Sequence, residues 1–139
     1  MTDIANKSTL EIKIQSFVLK YGPEQLIAWL DEFDNIINSK IYKQFRQLES
    51  ETCKVFGISI ADMRRFSLTE CTDSRRIISF IACHKLKLPI ESIAKLLGGV
   101  SIRSVSYYIK DAESWIEQPK SNKPFVDAYN KVCENFKIE

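Results

Sequence analysis

Five residues within a single ten-residue span carry the groups best suited to grip or read a polyanion: Ser101, Arg103, Ser104, Tyr107 and Lys110. A guanidinium can donate two parallel hydrogen bonds to the edge of guanine, hydroxyls can donate or accept, and an ammonium neutralises a phosphate as a point charge. Between them runs the row Val105, Ile109, Ala112 and Ile116, whose three- and four-residue steps mark the buried face of a helix and leave the five polar residues off it. The first four cluster in the opening two turns, the part of a reading helix that meets base edges. Arg103 is therefore the first choice for base reading. Ser101 reads equally well as a helix cap. Ile102 either heads the apolar row or, exposed, can meet a thymine methyl. Tyr107 and Tyr108 are neighbours and cannot point the same way, so Tyr107 is assigned to solvent and Tyr108 to packing.

The elements that must hold these residues extend over LPIESIAKLLGGVSIRSVSYYIKDAESWI, residues 88–116. A short helix with Ile90, Ile93, Ala94 and Leu97 facing inward ends at Gly98 and Gly99, which can take the positive φ angles that stop one helix and re-aim the chain. A longer helix then opens on Ser101. That order is a helix-turn-helix, and it makes double-stranded DNA the leading partner. Arg64, Arg65, Arg75 and Arg76, flanking a bridge ahead of the preceding helix, are assigned to contacts with the DNA backbone or minor groove.

Other chemistry is poorly supplied. Cys53, Cys71, Cys83 and Cys133 form no CxxC pair and His84 is the only histidine, so neither a zinc site nor a redox motif has ligands at usable spacing. Reduced, mostly buried thiols are expected. Cys83 beside His84 is no catalytic dyad, because helix neighbours point about 100° apart. Asp31, Glu32 and Asp34 read as a solvated helix face. With glycine only at positions 22, 57, 98 and 99, no phosphate-binding loop of the GxxxxGK[ST] or GxGxxG type can be built. No enzyme, nucleotide or cofactor is expected. There is no long apolar run and no signal-peptide pattern in MTDIANKSTLEIK, so a cytoplasmic protein without membrane contact is expected.

The net charge of +2 says little until its distribution is read. Residues 1–50 hold six Lys/Arg against seven Asp/Glu, whereas residues 64–110 hold nine against three. Positive charge gathers where phosphate neutralisation would need it.

Alternation of the β type is nearly absent, and the whole chain reads as helical. Ser8 or Thr9 caps a first helix ending near Tyr21-Gly22, and Pro23 opens a second that carries Leu26, Ile27, Leu30, Phe33 and Ile37. A third from about Ser39 to Val55 stops at Gly57. Ser59 has capping-box spacing to Asp62 and starts a short turn through Arg65. A polar bridge, Ser67 to Thr72, leads to a central helix capped by Thr72 or Asp73, bearing Ile77, Ile78, Phe80, Ile81 and Leu86. After the paired helices and a proline-containing loop, a last helix from about Phe125 to Phe136 presents Phe125, Tyr129, Val132 and Phe136. The expected fold is an all-α bundle: an N-terminal helical hairpin in residues 1–50 for dimerisation or docking, then a helix-turn-helix domain in residues 51–139.

Residues 51–136 resemble the C-terminal DNA-binding domain of the bacterial replication initiator DnaA, a helical module with a helix-turn-helix of the Trp-repressor type. VFGISIADMRR is similar to its Val-x-x-Ala-Asp-Leu turn, DSRRIISFIACHKL to its passage from basic loop to helix, and LPIESIAKLLGG to its Leu-Pro-x-x-Ile-Gly-x-x-Phe-Gly-Gly. The family follows its glycine pair with Arg-Asp-His-Thr-Thr-Val; this chain has Val100, Ser101, Ile102, Arg103, Ser104 and Val105. The hydroxyl before valine is kept and the Arg-Asp-His trio is not, so the resemblance implies a reader of some other sequence, with Arg75 and Arg76 as approximate equivalents of the basic-loop arginines. Without a phosphate-binding loop it implies no initiator ATPase, and a stand-alone regulator or accessory replication factor fits. A homodimer is compatible with the N-terminal hairpin. The alternative is a helical protein–protein interaction module that binds no DNA.

Overall fold

The computed structural model describes residues 8–37 and 39–137 and, for Ile36 and Ile37, the backbone alone. Among these residues the chain is all-α: eight helices and no strand. It divides into two compact units, Met1–Tyr42 and Lys43–Glu139.

The first unit is a hairpin of α1 (Thr9–Tyr21) on α2 (Pro23–Ile37). Ser8 caps α1, its hydroxyl accepting from the Glu11 N–H at 3.1 Å. Gly22 ends the helix at φ +90° and returns its own N–H to the Val18 carbonyl at 2.8 Å. Pro23 then starts α2, where a missing N–H costs nothing. Both expected stops are present, yet no residue of α1 is buried.

The second unit holds the core. Helix α3 (Lys40–Phe56) starts just ahead of the unit boundary and buries Phe45, Leu48, Glu49, Thr52 and Cys53. The boundary expected at residue 50 falls inside this helix, and the second unit begins earlier because Phe45 and Leu48 are fully buried in its core. Gly57, at φ +68°, closes α3 with its N–H on Lys54 and the Ile58 N–H on Cys53, the paired bonds of a Schellman stop. Ser59 caps the short α4 (Ile60–Arg65) through the Asp62 N–H at 3.1 Å.

Helix α5 (Thr69–His84) is central, packing against α4, against α6 (Ile90–Leu96) and most extensively against α7 (Ile102–Glu117). It begins three residues before the expected cap at Thr72, with Leu68 at the cap position and no side-chain cap bond. Thr72 lies inside the first turn, and its hydroxyl bonds back to the Leu68 carbonyl at 3.1 Å. Arg75 ties the end of α4 to α5, its guanidinium donating to the Phe66 carbonyl at 2.9 Å and to that of Met63.

Helix α8 (Lys123–Asn135) closes the core with Phe125, Val126 and Val132, and Phe136 follows it. Trp115 meets Phe125 edge-on with centroids 5.1 Å apart, and Phe80 meets Tyr129 likewise at 5.7 Å. All four cysteines are free thiols, two buried and two half-buried. No helix among the described residues is long and apolar enough to cross a membrane.

Candidate nucleic-acid interface

The joint between α6 and α7 is a second Schellman stop. Gly99 donates to the Ala94 carbonyl at 3.0 Å and Gly98 to that of Lys95 at 3.1 Å, with both glycines at positive φ, +94° and +87° in chain order. Three residues later Ser101 caps α7: its hydroxyl accepts from the Ser104 N–H at 3.0 Å and donates to the Ser104 hydroxyl at 2.8 Å. Ser101 thus acts as a cap, with both its hydrogen-bonding roles used inside the protein.

Helix α7 divides cleanly. Val105 and Ala112 are fully buried and Ile109 nearly so, while Ser101, Ile102, Arg103, Tyr107 and Lys110 are exposed and Ser104 is half-buried. Ile102 is 53% exposed, which takes it out of the apolar row and adds it to the open face. Tyr107 is exposed and Tyr108 packed, as their adjacency required. Arg103 lies over the Tyr107 ring, 5.6 Å from its centroid, and donates to the Tyr107 hydroxyl at 3.3 Å. That contact, one turn apart on one helix face, narrows the rotamers of an otherwise free guanidinium.

The other arginines behave differently from one another. Arg65 is exposed beside the Phe66 ring. Arg75 is only 7% exposed. Besides the two carbonyls it donates to the Tyr108 hydroxyl at 3.1 Å and to Thr72 Oγ1 at 3.3 Å, so the backbone or minor-groove role expected of it is corrected to an internal strut. Arg76 bridges α5 to α7: it bonds Asp73 at 2.7 Å and Asp111 at 3.2 Å, and lies 4.6 Å from the Trp115 ring centroid. Arg64 grips both oxygens of Glu49 at 2.9 Å. Arg64 and Arg76 are likewise corrected from phosphate contacts to structural roles, because their guanidiniums are already engaged, with Glu49 and with Asp73 and Asp111. Of the nine basic residues between 64 and 110, Arg65, Lys85, Lys87, Lys95, Arg103 and Lys110 are left at the surface.

Glu49 is fully buried, and the sequence reading did not single it out. Its signal was present, since Phe45, Leu48, Glu49 and Thr52 share one helix face and a carboxylate within such a row needs a partner. Burial pushes its carboxyl up to about 7, against the downward pull of the adjoining Arg46 charge and hydrogen bond. Arg46 also reaches the Leu96 carbonyl at 3.5 Å, and a side chain at Gly98 would place its first carbon 3.6 Å from Arg64 Cδ. The Glu49 cluster therefore lies directly under the α6–α7 joint. Asp73 is also raised by burial, opposed by Arg76.

No protein-family model matches this chain, and neither a curated protein nor a solved structure matches it.

Proposed function

We propose that the second unit binds double-stranded DNA, with the opening turns of α7 in the major groove, and serves as a DNA-binding regulator or accessory replication factor of the DnaA C-terminal type. The observation that carries the reading is the open face of α7: Ile102, Arg103, Tyr107 and Lys110 stand exposed on a helix whose opposite side is anchored by Val105, Ile109 and Ala112. Arg103 supplies the bidentate donor for guanine, and Ile102 an apolar contact for a thymine methyl. The cap holds Ser101 at the helix start, where free N–H groups and the helix dipole favour phosphate. Arg65 and Lys95 supply further exposed charge on neighbouring helices.

Binding to duplexes of random sequence, followed by fluorescence anisotropy across a salt series, tests the reading. Neutralising about three phosphates through Arg65, Lys95 and Lys110 predicts a log–log salt slope of roughly −3. Arg103→Ala should flatten discrimination among sequences selected from a random pool by about 1–3 kcal/mol at the base it reads, while Lys110→Ala should weaken all sequences alike. Absence of duplex binding at low salt sinks the proposal. It would favour the second reading, in which the exposed Ile102 and Tyr107 dock a protein partner.

A further inference from the structure

Among the described residues, the two helices of the first unit leave much of their apolar surface exposed. Along α1, Leu10, Ile14, Phe17 and Tyr21 recur at steps of four, three and four, and along α2, Leu26, Leu30 and Phe33 repeat the same pattern, the seam spacing of helices that pack side by side. An aromatic ladder crosses the hairpin: Tyr21 on Phe17 at 4.8 Å, Phe17 on Trp29 at 6.2 Å and Trp29 on Phe33 at 6.1 Å. Within one hairpin the seam stays open on its broad side. Tyr21 is 55% exposed, Trp29 54%, Phe33 47% and Leu30 44%.

Taking about 150–250 Å² for an aromatic side chain and somewhat less for Leu or Ile, the exposed seam-side residues Leu10, Ile14, Tyr21, Trp29, Leu30 and Phe33 hold on the order of 600 Å². That stands at the upper end of the roughly 300–600 Å² of the largest apolar patch on an ordinary monomer and approaches the ~800 Å² that each partner contributes to a standard interface.

Charge indicates what covers the face. Helix α1 carries Lys13 and Lys20 against Glu11, whereas α2 carries Glu24, Asp31, Glu32 and Asp34 with no base at all, and every one of these side chains is exposed. In a two-fold dimer that places each α1 beside the partner's α2, the arrangement that buries the seam also sets lysines against acids. The same acidic helix is repelled by an anionic lipid surface.

We propose that α1 and α2 dock on the α1 and α2 of a second copy of this chain, forming a four-helix bundle with basic α1 against acidic α2. The proposal uses the hairpin alone and stands whether or not α7 reads DNA.

Sedimentation equilibrium of the full chain without DNA tests it. The expected species has twice the 16.1 kDa chain mass, with a dissociation constant of about 1 µM or tighter. Leu30→Glu with Phe33→Glu should give a monomer of unchanged far-ultraviolet helicity. Two surface variants guard against simple unfolding: Lys13→Glu with Lys20→Glu, and Asp31→Lys with Asp34→Lys. Each alone should dimerise at least about tenfold more weakly, and an equimolar mixture should recover a heterodimer of wild-type strength. A wild-type chain that stays monomeric at roughly 100 µM overturns the proposal. So does a dimer indifferent to these substitutions, or a monomer that floats with zwitterionic vesicles.

Discussion

Raising the pH from about 5 to about 8 is expected to destabilise the second unit by roughly 2–3 kcal/mol through one carboxyl group, Glu49. Its folded-state value of about 7 stands against an ordinary 4.5, and each unit of difference corresponds to about 1.4 kcal/mol. Because the folded protein holds this proton more tightly than the unfolded chain, the stabilisation is complete below 4.5 and is lost as the pH rises through 7. Above that the curve levels off, with the ionised carboxylate held by Arg46 and Arg64.

Glu49→Gln removes the titration while keeping the shape. Its absolute stability shifts because two guanidiniums lose a charged partner, but its pH slope should flatten. Asp73, raised in the same sense, leaves a residual slope common to both proteins, so the difference between the two curves isolates Glu49. The assay is urea unfolding at several pH values, followed by Trp115 fluorescence in a Trp29→Phe background so that the hairpin does not report. Parallel wild-type and Glu49→Gln curves, within about 1 kcal/mol across the range, would refute the reasoning. The outcome bears on function because this cluster supports the α6–α7 joint through Leu96 and Gly98.

Three further substitutions separate scaffold from interface. Arg75→Met should cost about 3 kcal/mol or more in urea unfolding, since it strips a buried guanidinium from two carbonyls and the Tyr108 hydroxyl; a loss under 1 kcal/mol would return Arg75 to the surface roles. Gly98→Ala should cost about 1–2 kcal/mol through backbone strain at φ +94° alone, because the space beside it admits a methyl group; calorimetry showing no change would count against the strained turn. Ser79→Ala should stabilise by about 1 kcal/mol, because this buried hydroxyl has no hydrogen-bond partner among the described residues; a destabilised variant would reveal one.

Most helix boundaries were legible because they are written in local chemistry. Ser8, Ser59 and Ser101 cap helices through the N–H three residues on, and Gly22, Gly57, Gly98 and Gly99 take positive φ at the stops. The start of α5, displaced from the expected cap at Thr72, was not legible, because no side chain caps it. Arg75 reaches nine residues back to Phe66, and periodicity does not reveal such a contact. The exposed face of α7 was equally legible, since the apolar row defines its complement. The arginines were not: Arg65 and Arg75 look alike in sequence, and one lies at the surface while the other lies in the core.

By itself the amino-acid sequence determined the all-α class, the joints and the inward stripe of each long helix, because capping, glycine φ and the helical repeat act over a few residues. Tertiary structure alone decided which charges remain available to a partner. Arg64, Arg75 and Arg76 are spent on Glu49, on backbone carbonyls and on two aspartates, through pairings that, apart from Arg76–Asp73 within one helix, cross 9 to 35 residues of chain. It likewise decided that α2 alone leaves every residue of α1 unburied, since burying a stripe takes a facing surface, and one helix of a hairpin supplies only part of it.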